Sequence, residues 1–260
     1  MHPVLFKIPV LGGIAIHSYG LMMALGVLAA VLWVRSQASR QGLPAKRMVD
    51  LAFLLVLAAV VGSRLVFILV EWRYYLADPM AVFRVWEGGL VFYGGLIACT
   101  ALAWIYLKKH ALPFWKVADL FMPGVALGHA IGRVGCFLAG CCHGLQCDPA
   151  AWYAVVFPGG VGSIAPPGVA LYPTQLIEAA AEFLLFLFLA WKSRKKAFDG
   201  QILLLYLIVY SLLRVLIEFL RGDMERGFVL SHHLSTSQFI SLVLLVGAVF
   251  VLIFRKGRSS

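Results

Sequence analysis

The chain has 260 residues, of which 62% are apolar or aromatic and only 13% are charged, and its mean hydropathy is +0.91. A soluble domain carries about 25% charged side chains, so this composition excludes a globule surrounded by water, and with it disorder, collagen and small disulfide scaffolds. The formal charge of +10, from 22 Lys and Arg against 12 Asp and Glu, would suggest nucleic acid in a soluble protein, but in a membrane chain its distribution has to be read first.

The opening MHPVLFKIPVLGG lacks a basic stretch leading into an apolar run with a small-residue cleavage site, so no removable signal peptide is expected. A membrane-crossing helix needs roughly 20 mainly apolar residues, and seven such stretches follow, at about 17–34, 49–70, 89–107, 117–138, 174–191, 202–220 and 236–254. The fourth is interrupted by Pro123 and by Gly124, Gly128, Gly132 and Gly135. Helix breakers survive at membrane depth where neighbouring helices satisfy the backbone, which predicts a central span. The longest connection, 141–173, contains FPGG, APPG and YP and is expected to form an irregular extracytoplasmic cap. No internal repeat is visible, and the whole of 1–260 reads as a single integral-membrane domain.

Charge orients these spans. The segments 35–48, 108–116 and 192–201 and the C-terminal tail hold fourteen cations, whereas the opposite side holds five: Lys7, Arg73, Arg84, Arg221 and Arg226. Positive residues accumulate on the cytoplasmic face, so the expected class is an all-α polytopic membrane protein with its N-terminus outside and its C-terminus in the cytoplasm. Trp72, Trp86 and Trp152 flank spans as an aromatic belt would. The basic loops are explained by topology and anionic lipid, without nucleic acid.

Three arginines remain, Arg64, Arg133 and Arg214, all inside predicted spans and all toward the outer half. Each would cost about 2.5–3.5 kcal/mol at a helix centre. One alone would be read as snorkelling or as paired with a carboxylate. Three at one depth point to a shared anion, and bidentate guanidinium–phosphate contacts are strong enough to offset such burial. Polar residues recur at helical spacing nearby: Gln175, Glu178 and Glu182 on the fifth span, and Arg214, Glu218 and Arg221 on the sixth. Interhelical hydrogen bonding alone would give the same pattern.

With these residues on one map, the chain resembles the prolipoprotein diacylglyceryl transferases of the bacterial inner membrane. The resemblance runs from His17-Ser18-Tyr19-Gly20-Leu21-Met22 to Ser235-Thr236-Ser237-Gln238. It includes Gly62-Ser63-Arg64-Leu65, Trp86-Glu87-Gly88-Gly89-Leu90, Tyr93-Gly94-Gly95-Leu96, Gly132-Arg133-Val134-Gly135, Tyr172-Pro173-Thr174-Gln175-Leu176-Ile177-Glu178 and the run from Arg214 through Glu218 to Arg221. It implies a multi-pass enzyme that moves the diacylglyceryl group of phosphatidylglycerol onto the lipobox cysteine thiol of a secreted preprolipoprotein, forming a thioether and releasing glycerol phosphate. No cofactor or metal is implied. Arg133 and Arg214 match the family's functional arginines, with Glu218 orienting Arg214 and Tyr93 as a further catalytic candidate. Tyr19, Arg64, Arg133, Gln175, Glu178 and Arg221 are the implied substrate-binding set.

The chain departs from the family pattern at Tyr93, where a histidine is usual, and at Cys136, Ala139 and Cys141, where Asn, Asn and Glu are usual. A tyrosine with a pKa of about 10 is a poor base at neutral pH, which leaves the base open among His143, His129 and Glu218, or no dedicated base, with the arginine field lowering the thiol pKa. Cys136, Cys141, Cys142 and Cys147 crowd into twelve residues around His143. The spacing differs from paired C-x2-C metal sites. A Cys142–Cys147 bridge, plain buried thiols, zinc or an iron–sulfur centre, and an acceptor-site role for Cys136, Cys141 or His143 all remain open. Rival functions are a paralogue with another acceptor, an anionic-lipid transporter or flippase using the same arginines, and a seven-span receptor. Short loops and the arginines disfavour the receptor.

Overall fold

The computed structural model describes residues 3–8, 14–84, 88–159, 163–222, 227–229 and 234–259. Trp86, Glu87, Arg226 and the His232–His233 pair lie outside the described residues. In chain order the elements are β1 (Val4–Ile8), β2 (Ile14–His17), α1 (Ser18–Ala38), α2 (Ala45–Val70), α3 (Trp72–Ala77), α4 (Phe92–Lys109), α5 (Phe114–Ala139), β3 (Val155–Val156), β4 (Ala170–Leu171), α6 (Thr174–Ser193), α7 (Gln201–Glu218), β5 (Phe228–Val229), β6 (Leu234–Ser235) and α8 (Thr236–Ser259). The strands form three antiparallel pairs, β1 with β2, β3 with β4 and β5 with β6.

Six helices among the described residues are long and apolar enough to cross a membrane: Ser18–Gln41, Ala45–Val70, Phe114–Ala139, Thr174–Ser193, Gln201–Glu218 and Thr236–Arg255. Their outer faces carry exposed Leu28, Leu57, Leu184 and Phe250, a surface suited to lipid. The third expected stretch is also helical, as α4, but that helix has 18 residues and ends on Lys108 and Lys109. Two compact units make up the chain, one of Met1–Trp33 and Ala118–Ser260, the other of Val34–Val117.

In the larger unit, the stretch read as broken is one continuous helix, with Pro123 buried inside α5. Its glycines serve close approach to α1. A Cβ on Gly26 would stand 2.8 Å from the Gly128 carbonyl oxygen, and one on Gly135 would stand 2.9 Å from Met22. Small residues at four-residue spacing let two backbones touch, which is how helices associate where water supplies no hydrophobic drive. Ala126, Leu185, Leu189, Ile202 and Tyr206 join α5, α6 and α7 in one apolar core.

A buried carboxylate fixes the start of α7. The helix follows Gly200, which has no side chain to cap it, and Asp119 of α5 takes that role. Its oxygens accept from the backbone N–H groups of Gly200, Ile202 and Leu203 at 2.8–3.0 Å and meet Lys196 Nζ at 3.0 Å. An anion at a helix N-terminus satisfies orphan donors and complements the dipole.

The smaller unit is organised by α2 and α4. Gly62 lies against Gly94, so neither position has room for a side chain. Within 141–173 lie β3, β4 and a small core of Phe157, Ala165 and Leu171.

Candidate active site

Two facing pairs build the first part of the site. On α5, His129 and Arg133 are four residues apart; on α6, so are Glu178 and Glu182, and each pair lies along one helix face. Arg133 Nη2 meets Glu178 Oε1 at 2.7 Å, and Arg133 Nε–H donates to His129 Nε2 at 3.2 Å. Accepting at Nε2 leaves the His129 proton on Nδ1, which lies 3.5 Å from Glu182 Oε1. Glu178 and Glu182 are almost wholly buried, so their charge is tolerable only with such partners.

The second part joins α7 to α8. Arg214 Nη2 contacts Glu218 Oε2 at 2.9 Å across one helical turn and donates to Ser237 Oγ at 3.3 Å. Ser237 Oγ is 3.0 Å from Ser235 Oγ. Ser235 and Gln238 form a capping box, each side-chain oxygen accepting from the other's backbone N–H at 3.1 Å. The start of α8 is thereby stiffened where it touches the guanidinium. Arg214 Nη1 is buried without a hydrogen-bond partner among the described residues.

A third part is the turn that ends α5. Gly140 adopts φ +71°, its N–H donates to the Phe137 carbonyl at 3.2 Å, and the Cys141 N–H donates to the Cys136 carbonyl at 3.1 Å. This is a Schellman ending, which brings the side chains at its two outer positions together; here both are cysteines. Cys142 follows at φ +57°, a left-handed conformation seldom held by a residue with a Cβ. The Sγ atoms of Cys136, Cys141 and Cys142 all lie within 4.8 Å of one another. From α6, Gln175 Nε2 donates to the Cys141 carbonyl at 2.7 Å and Thr174 Oγ1 to the Cys142 carbonyl at 3.1 Å. Hydrogen bonding from Cys136 and Cys141 draws the Cys142 thiol well below its ordinary pKa, and the same sharing pushes Cys141 up. All five cysteines are free thiols, and Cys142 is grouped with Cys136 and Cys141, not bridged to Cys147.

The other predicted residues are distributed differently. In the smaller unit, Arg64 Nε donates to the Val82 carbonyl, Nη1 to those of Gly88 and Gly89, and Nη2 to those of Ala81 and Arg84, at 2.6–3.3 Å. All five of its donors are thus engaged by backbone, with Gly88 and Gly89 at positive φ to aim their carbonyls. Tyr93 is half exposed on α4 and packs edge-on to Phe92. Tyr19 is exposed at the start of α1, with its ring beside Gly135 of α5. Gln175 is engaged in holding the cysteine turn. Arg221 pairs through its backbone with Gly144, beside the buried His143, whose Nδ1–H donates to the Gly144 carbonyl at 3.0 Å. Glu182 and Ser237 were missing from the expected site, and His129 entered only as an alternative base; the four-residue spacing of His129 to Arg133 and of Glu178 to Glu182 was the available signal.

Six helices of membrane length, with Arg133 and Arg214 each paired to a buried carboxylate, define a polytopic membrane protein. The sequence profile of the prolipoprotein diacylglyceryl transferases matches residues 3–254, and the chain belongs to that family. It is 36% identical over 239 residues to phosphatidylglycerol–prolipoprotein diacylglyceryl transferase 2 of Clostridium perfringens, covering 92% of this chain and 91% of that one. It is 38% identical over 255 residues to the phosphatidylglycerol–prolipoprotein diacylglyceryl transferase of Clostridium tetani, covering 96% of each, and 30% identical over 259 residues to that of Bacillus velezensis, covering 99% of this chain and 93% of the relative.

Proposed function

We propose that the protein is a phosphatidylglycerol–prolipoprotein diacylglyceryl transferase of the bacterial cytoplasmic membrane, with Arg133 and Arg214 as its phosphate-handling residues. In the reaction the acceptor cysteine sulfur bonds to the terminal glyceryl carbon, the bond from that carbon to phosphate oxygen breaks, and glycerol phosphate leaves with the electron pair. Negative charge grows on the phosphate as the bond breaks. Fixed donors in a site of low dielectric stabilise that charge without reorganising. The observation that carries the assignment is Arg214: Glu218 and Ser237 hold Nη2, while the buried Nη1 keeps a donor for an oxyanion.

Arg133 is held by Glu178 and His129 and supplies a second cation in the same unit. Arg64 takes a positioning role in this reading, tying Ala81 and Gly88 to α2. We take α4 as a seventh span: 18 residues at 1.5 Å extend about 27 Å, close to the roughly 30 Å hydrocarbon core, and terminal lysines snorkel. Cations on the 35–48, 108–116 and 192–201 side support seven crossings with the N-terminus outside and 141–173 as an extracytoplasmic cap. The test is turnover by the purified chain of labelled phosphatidylglycerol and a lipobox peptide. A thioether product is expected; lipid movement without any thioether would overturn the reading in favour of transport.

A further inference from the structure

We propose that Cys136, Cys141 and Cys142 form a three-thiolate site for a zinc-class divalent cation whose fourth position takes the acceptor cysteine thiol. This rests on the transferase reading. A tetrahedral zinc–thiolate centre has zinc–sulfur bonds of about 2.3 Å, hence sulfurs about 3.8 Å apart. The three Sγ atoms already lie within 4.8 Å of one another, so side-chain rotation by roughly an ångström closes the set.

The backbone beneath them is held in place. The Schellman ending joins Cys136 to Cys141, Gln175 and Thr174 hold the carbonyls of Cys141 and Cys142, and the Gly222 N–H donates to the His143 carbonyl at 3.1 Å. Three thiolates and a divalent ion carry a net negative charge. Arg133, one turn before Cys136 on α5, and Arg221, bridged through its backbone to Gly144 beside the turn, supply positive charge nearby. Three protein ligands with one open position is the arrangement of zinc sites that activate a fourth group, and a coordinating thiol is deprotonated outright.

That chemistry supplies what the site otherwise lacks. Glu178 is paired with Arg133 and Glu218 with Arg214, so neither carboxylate is at liberty to take the acceptor's proton. On binding the ion the acceptor thiol releases its proton to water. The held thiolate then attacks the glyceryl carbon, and the phosphate oxygen departs with the bonding pair.

The test uses the full chain, purified with reductant, stripped with chelator and titrated with zinc alone and with cobalt alone. One ion per chain and a thiolate-to-cobalt charge-transfer band are expected. Binding should weaken at least tenfold in Cys141→Ser and Cys142→Ser but stay unchanged in Cys99→Ser, which reports on folding of the purified protein. A lipobox peptide should shift the cobalt spectrum, and its cysteine-to-serine counterpart should not. Reduced protein that takes up neither ion overturns the proposal, as does a cobalt band that survives replacement of all three cysteines by serine or that ignores the peptide. Failure of the transferase reading looks different: the cobalt site forms and no lipobox peptide yields a thioether.

Discussion

Replacing Arg214 with lysine separates charge from geometry. In the structure one guanidinium nitrogen, Nη2, serves Glu218 at 2.9 Å and Ser237 at 3.3 Å, and the other has no hydrogen-bond partner among the described residues. A lysine ammonium can keep the ion pair with Glu218 but cannot project a second nitrogen in the guanidinium plane. Loss of one prepositioned donor to a developing oxyanion costs about 10²–10³-fold in turnover, about 2.7–4 kcal/mol of transition-state stabilisation. Alanine would be a poorer probe, because Glu218 is only 4% exposed and stranding a buried charge costs roughly 3–5 kcal/mol of folding stability. The expected result for Arg214→Lys is therefore a thermal midpoint near the parent's and turnover of labelled phosphatidylglycerol lowered at least a hundredfold. Parent-level turnover would refute the donor role, and a midpoint lowered as far as that of Arg214→Ala would recast the residue as structural.

The N-terminus of α7 supplies two further tests. Asp119→Ala strands three backbone donors and takes from Lys196 one of its two carboxylates, and thermal unfolding in detergent should record a loss of about 3–5 kcal/mol. Burial alone would lower the Lys196 pKa, but hydrogen bonds to Asp199 and Asp119 outweigh it and hold the value above that of an ordinary lysine. A raised pKa in the folded state means stability that is complete below the unfolded value, about 10.4, and lost as pH climbs through the folded one. The stability gap between parent and Lys196→Met should accordingly hold at neutral pH and close in strong alkali. At the seam of α1 and α5, Gly26→Leu should abolish folded protein in size-exclusion profiles, since a Cβ there would press on the Gly128 backbone, whereas Gly247→Ala, with open space around it, should be tolerated.

What could be read in advance depended on how local the determinant was. Arg214 and Glu218 sit one turn apart, so their pairing is visible in the spacing alone. Arg133 and Glu178 are on different helices, and the sequence showed only Glu178 on a polar face and Arg133 inside a span. The five carbonyl partners of Arg64, up to 25 residues away, leave no mark in composition. The α5 glycines were read as breaks because glycine weakens a helix in water; against α1 the same residues are what permits contact. Asp119 looks like any charge near a helix start until the facing end of α7 is seen. The Schellman ending was not anticipated, although Gly140 at the close of the fourth span was the signal for it.

That helix ending has one more consequence. Its hydrogen bonds run through backbone alone, so positions 136 and 141 are aimed at each other whatever side chains they bear. The turn behaves as a socket whose backbone bonds are independent of its fittings, here two thiols. A change of chemistry at this spot needs as few as two codons.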